Sequence, residues 1–294
     1  MARSAPLVPL LAFALLVACS DDAAPAPTVA PTTTRAAAAG ALPGEPVEVS
    51  FTSSDGQALS GLHYPSAEVG APLVVLFHSE MGDASEWHAM APWLQNRGLR
   101  NQFPLTSHIP LVDGGWYADM PAAPTYNVFI ASVRGCSPHP DGCPNWTPDL
   151  WLEDAQAALT TAAALPTVDP DRIVTLGAGM GADAAADTCA WWNTDHPGAC
   201  DGTFTVNPGS YLGITYGEVV AELGAMEPTV PVWCVALSPT MLGLCQGADE
   251  TDNSAYTTVG IKDTGSGKEV FTPLAIPDPM QTIIDFLAAT VPMA

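Results

Sequence analysis

The chain has 294 residues, 48% of them hydrophobic, which is enough to bury one full α/β core and too few for several large ones. Its formal net charge is −23, from 31 acidic against 8 basic side chains. A field of that sign repels phosphate backbones and anionic headgroups, so nucleic acid is set aside as a partner.

In chain order, Arg3 gives a short basic start, residues 7–17 are apolar but too few to span a bilayer, and Leu16-Val17-Ala18-Cys19 closes the run. The last four residues resemble a bacterial lipobox. That resemblance implies a signal peptide over 1–18, cleavage before Cys19, a lipid on the Cys19 thiol and anchoring to the outer face of a bacterial membrane. An ordinary signal peptide followed by an incidental cysteine is the other reading, and both export the chain. Residues 19–44, rich in Ala, Pro and Thr, bury too little surface to offset chain entropy and read as a flexible tether.

From residue 45 strands and helices alternate. Strands are expected at 46–51 and 58–64 around Ser54-Asp55-Gly56, and the apolar run 72–78 reads as a buried strand. A helix is expected at 85–97, a strand at 126–133, an alanine-rich helix at 148–165, and a third buried strand at 171–176. Then follow a helix at 181–191, a strand at 202–206, a helix at 216–223, strands at 231–237 and 257–261, and a helix at 279–289. Such alternation predicts an α/β fold, a single doubly wound and mostly parallel sheet with helices on both faces. Residues 99–125 break the pattern and read as an insertion, either a binding loop presenting Trp116 and Tyr117 or a passive surface excursion.

Beyond Cys19 six cysteines remain: Cys136, Cys143, Cys189, Cys200, Cys234 and Cys245. An even number in an exported chain favours disulfides. Six cysteines allow 15 pairings, among which local pairing in chain order is expected. No Cys-x-x-Cys pair and no suitably spaced histidine supports a metal site, and none is expected.

Several stretches together resemble the α/β-hydrolase superfamily, its dienelactone-hydrolase-like and peptidase-like members in particular. They are Phe77-His78-Ser79-Glu80-Met81-Gly82-Asp83 with Trp87, Tyr126 to the Arg134-Gly135 turn, and Val168-Asp169-Pro170-Asp171-Arg172-Ile173 leading into Gly177-Ala178-Gly179-Met180-Gly181. Val206-Asn207-Pro208-Gly209 and the segment 231–236 resemble later strands. The resemblance implies a nucleophile at the centre of the strand-to-helix elbow, a histidine to take its proton and a carboxylate to orient the histidine. All three positions are vacant. Gly179 stands at the nucleophile position, Ser266 within 264–268 at the histidine position, and Pro239 within Leu237-Ser238-Pro239-Thr240 at the acid position. No histidine follows His196 at all, and Asp249 or Asp252, further along, would have none to orient.

What the resemblance leaves is an anion-receptive corner made by the Met180 amide at a helix start and the amide of Glu80 or Met81, with His78 beside them. Four rival chemistries stand beside it. Gly177-x-Gly179-x-x-Ala182 matches a dinucleotide fingerprint, but no strand ending in an acidic residue follows, only Asp195 and Asp201 near the required distance. Ser79 with His78, His88, His108 or His139 would make a displaced nucleophile and base. Glu80 and Asp83 would make an acid/base pair. Residues 249–253 are acidic but lack calcium-loop spacing. The expected function is non-catalytic binding of a small ligand or protein partner without a cofactor. The alternative is an active carboxylic-ester hydrolase of the dienelactone hydrolase or esterase type using displaced residues.

Overall fold

The run Ala71–Phe77 carries no charged or hydrogen-bonding side chain, and all seven residues are buried, as a strand covered on both faces requires. The structure, a computed structural model, describes residues 45–95, 126–136, 143, 147–262 and 275–292. The signal segment, the tether, the insertion at 99–125 and Ser266 lie outside the described residues.

Eight strands form one sheet: β1 (Val47–Thr52), β2 (Ala58–Tyr64), β3 (Ala71–Phe77), β4 (Asn127–Ala131), β5 (Val168–Ala178), β6 (Cys200–Val206), β7 (Val232–Ala236) and β8 (Tyr256–Gly260). Their spatial order is β1-β2-β4-β3-β5-β6-β7-β8. β2 runs antiparallel to β1 and β4, and every pair from β4 through β8 is parallel. Because side chains alternate along a strand, β3 feeds two cores. Leu73, Val75 and Phe77 join Trp151, Ala158 and Ala184, while Val74 and Leu76 join Trp87, Met90 and Phe286 on the opposite face.

The helices are α1 (Met90–Leu94), α2 (Pro148–Ala163), α3 (Met180–Asp195), α4 (Tyr216–Ala225), α5 (Pro239–Ala248) and α6 (Pro279–Thr290). Among the described residues no helix is long and apolar enough to cross a membrane. The helix expected at 85–97 is broken into a 3-10 turn, Ala84–Trp87, and the short α1. Pro92 explains the break, since it has no N–H to give the preceding turn and is tolerated only near a helix start. Helix α5 was not expected. Its signal is nonetheless present, because Ser238 accepts from the Met241 amide at 3.3 Å and Pro239 occupies the first turn. Helix α3 runs four residues past the expected end, and β5 begins at Val168 through an irregularity beside Ala71 and Leu73.

The cysteines pair locally as expected: Cys136–Cys143, Cys189–Cys200 and Cys234–Cys245, with Cα separations of 4.0, 5.5 and 5.7 Å. The Arg134 turn after β4 is fixed by Asp154 of α2, whose fully buried carboxylate accepts from the Arg134 backbone amide at 2.8 Å and from its guanidinium. Asp55 holds the other side of that guanidinium and is itself drawn down to about 2 by the hydrogen bond.

Asn127 ties four segments together at the opposite end of the sheet. Its Nδ2 donates to the carbonyls of Ala71 (3.0 Å) and Thr167 (2.8 Å), and its Oδ1 accepts from the Ser66 amide (3.0 Å) and the Thr167 hydroxyl (2.7 Å). Asn127→Ala leaves several buried groups unpaired and is expected to cost about 3 kcal/mol or more. In denaturant melts the midpoint should fall with no change in slope.

Candidate active site

The end of β5 and the start of α3 approach so closely that only glycine fits. A Cβ on Gly177 would overlap the Gly181 carbonyl, and one on Gly181 would overlap the carbonyls of Phe77 and His78. Between them Gly179 sits at φ 55° and ψ −124°, a conformation that side chains with a Cβ rarely adopt. The sharp elbow therefore has a residue without a side chain at its centre.

The space beside Gly179 is filled from the loop after β3. Glu80 Oε2 accepts from the Met180 amide at 2.8 Å, and a Cβ on Gly179 would overlap that same oxygen. The expected open corner is thus corrected: the Met180 amide is already satisfied, by a carboxylate 100 positions away in sequence. The Met81 amide is corrected too, since it donates to the Ser79 hydroxyl at 3.3 Å.

The segment carrying Glu80 is rigidly held. Glu86, 1% exposed, accepts from the Ser79 amide at 2.8 Å and from the Ser79 hydroxyl at 2.6 Å. The Cys143 amide donates to the Glu80 carbonyl at 3.0 Å, tying the Cys136–Cys143 disulfide to this segment. Asp83 caps the 3-10 turn by accepting from the Ser85 amide at 2.8 Å.

His78 is a second correction. It is 1% exposed, with Nδ1 donating to the Ser79 carbonyl at 2.8 Å and its ring edge-on to Trp151. Its ring also lies within 4.8 Å of the Cys136 and Cys143 sulfurs, but these are bonded to each other and offer no thiolate to a metal. The Ser79 hydroxyl donates to Glu86 and not to an imidazole, which removes the expected pairing with His78 or His88. His108 and His139 lie outside the described residues.

Carboxylates gather on one side of the elbow. Asp183, in the first turn of α3, accepts from the amides of Gly209 and Tyr211 and fixes the loop after β6. Burial, and then the Glu80 charge among smaller causes, pushes its carboxyl up to about 6. Burial likewise pushes Glu86 to about 7 against the hydrogen bonds from Ser79, with the Glu80 and Asp83 charges adding to the rise. Asp187, one turn along α3, is driven by burial and by Asp183 to about 8, and its Oδ2 has no partner. Glu86, Asp183, Asp187 and the half-buried Tyr211 were not expected in the site. Only Glu86 had a sequence signal, its three-residue spacing from Asp83, which matches a capping box that the structure uses differently.

The remaining positions carry no chemistry of the expected kind. Pro239 opens α5, Asp249 closes it and accepts from the Thr258 hydroxyl at 3.0 Å, and Asp252 lies in the turn beyond. Asp201 stands at the end of β6 remote from the elbow, and β6 leads into Asn207, which accepts from the Leu237 amide, so the dinucleotide arrangement is missing its acidic strand end.

No protein-family model matches the chain, and no curated protein matches it by sequence. Solved structures do. A thermostable carboxylesterase from a metagenomic library, EstE1, is 18% identical, with 84% of this chain and 88% of that one covered at a TM-score of 0.55. An esterase of Pyrobaculum calidifontis is 14% identical over 84% and 85%, TM-score 0.54. The Pyrococcus furiosus esterase Pf2001 is 15% identical over 84% and 93%, TM-score 0.53. These likenesses give the chain the α/β-hydrolase fold.

Two expectations follow. Gly179→Ala imposes a positive φ on a side chain and pushes Glu80 aside, costing about 1–3 kcal/mol. In the Glu80→Ala background the loss should shrink, with a coupling of about 1 kcal/mol in a double-mutant cycle of denaturation midpoints. Next, a carboxyl whose folded pKa exceeds its unfolded one keeps in the fold a proton that the unfolded chain has released, so stability falls as pH rises between the two values. For Asp187 that window runs from about 4 to about 8, and Asp183 and Glu86 act in the same sense within it. Thermal melting should therefore be higher at pH 5 than at pH 8, by on the order of a few kcal/mol in stability, and Asp187→Asn should flatten the decline.

Proposed function

We propose that this is an exported α/β-hydrolase-fold domain, lipid-anchored through Cys19 outside a bacterial membrane, that binds a small ligand or a protein partner at the elbow and does not hydrolyse it. One observation carries this reading. At Gly179, where the fold presents a nucleophile, there is no side chain, and the Glu80 carboxylate fills the space and engages the Met180 amide. An acyl group arriving there meets no hydroxyl on the elbow, no free Met180 donor and no histidine downstream of His196. The similar structures are esterases, which bears on fold alone, and a fold hosts many activities.

A second reading, ester hydrolysis by displaced residues, has one observation in its favour. The Ser79 hydroxyl lies beside the elbow, its Cβ 3.3 Å from where a Gly179 Cβ would stand, and donates to a carboxylate whose pKa is raised to about 7, near the range of a general base. The first reading expects the purified protein to turn over activated esters no faster than buffer and to take no fluorophosphonate on any single serine. One labelled serine with parallel loss of turnover overturns it, and Ser79→Ala then tells whether Ser79 is that serine. Gly179→Ser alone should restore nothing, since the base is missing as well.

A further inference from the structure

We propose that His78, Cys136 and Cys143 form a latent zinc site, closed while the two cysteines are bonded to each other and opened when a dithiol reductant separates them. A ring nitrogen of His78 and the two sulfurs lie within 4.8 Å of one another, and among the described residues this is the single group of three or more His, Cys, Asp or Glu side chains so placed. His78 is already arranged as a ligand. Its Nδ1–H is committed to the Ser79 carbonyl at 2.8 Å, which leaves the ring lone pair on Nε2, and Nε2 is buried with no hydrogen-bond partner. A backbone carbonyl that fixes the tautomer and leaves the other nitrogen bare is the arrangement of metal-bound histidines. A buried nitrogen left unpaired costs about 1–3 kcal/mol, a cost that a bound cation removes.

Reduction supplies what the group lacks. A dithiol gives two electrons and two protons to the Cys136–Cys143 bond and leaves as its own disulfide; a zinc ion then takes both sulfurs as thiolates and releases those two protons. Of the three disulfides this is the accessible one, because Cys136 is half-buried whereas Cys189, Cys200, Cys234 and Cys245 are fully buried. Neighbouring donors around tetrahedral zinc stand about 3.5–3.8 Å apart, the spread this group reaches once the sulfurs are no longer held at bonding distance. Charge selects the metal. Two thiolates, a neutral imidazole and a divalent ion sum to zero, which a buried place tolerates, while a monovalent soft ion leaves one negative charge in a chain already at −23. Three protein donors leave the fourth position of the zinc to water.

The test reduces the full chain with dithiothreitol, removes the reagent under nitrogen, and titrates zinc against a chromophoric chelator, with peptide mapping to follow which disulfide has opened. The reduced chain should take up one zinc with Cys136 and Cys143 as the open pair, and the oxidised chain none in competition with the chelator. Cobalt in place of zinc should give the near-ultraviolet band of a thiolate–metal bond. His78→Ala should bind more than about tenfold more weakly, since the loss of a mere outer-shell partner already costs that much. Should His78→Ala fail to fold, the ring nitrogens of His78, followed by NMR in the unaltered chain, should shift with the first equivalent of zinc. Equal uptake by the oxidised chain, no uptake once mapping shows the pair open, unchanged binding in His78→Ala, or a His78 ring signal indifferent to zinc overturns the proposal. So does a Cys136–Cys143 bond that stays closed until the chain unfolds.

Discussion

A single hydrogen bond, from the Met180 amide to the Glu80 carboxylate across a glycine with no side chain, governs the chemistry of this elbow. In a hydrolase the helix start polarises an acyl oxygen while the elbow side chain attacks it. Here the same helix start holds the protein's own carboxylate, and the elbow residue, Gly179, has no side chain. The unusual backbone at Gly179 persists because Gly177 and Gly181 let β5 and α3 pack with no room for relaxation.

One charge at this point shapes its neighbours. Glu80 adds to the burial that raises Asp183 and Glu86, and Asp183 in turn adds to the rise of Asp187. A buried row of carboxyl groups is tolerated because burial raises their pKa values and so favours the uncharged form, which lowers mutual repulsion and the cost of desolvation. Glu86 serves the site indirectly: by taking both the amide and the hydroxyl of Ser79 it holds the residue before Glu80, while the Cys136–Cys143 disulfide holds the carbonyl after it.

Much of the scaffold was legible in the sequence because its signals are local. The apolar runs that became β3 and β5, the elbow glycines and the three short-range disulfides are written in consecutive residues. The glycine at the centre of the elbow was legible for the same reason. The break between Ala84–Trp87 and α1 was not, because apolar periodicity outweighed Pro92 in the reading. Helix α5 was missed because the segment after β7 was read for a carboxylate alone, although Ser238-Pro239 is a helix start. The occupant of the elbow was beyond reach: Glu80 and Met180 are 100 positions apart, and no local pattern tells that a glutamate in one loop points at the amide of another. For the same reason Met81 and His78 were placed in the corner, from which one is turned by Ser79 and the other by burial.

The account is tested most directly by following the Glu80 side-chain carboxyl carbon and the Met180 amide together by NMR through an acid titration of the full chain. If the carboxylate occupies the elbow, the two signals move with one midpoint, and the Met180 movement disappears in Glu80→Gln. Independent midpoints, or a Met180 shift that persists in Glu80→Gln, would place the carboxylate elsewhere and contradict it.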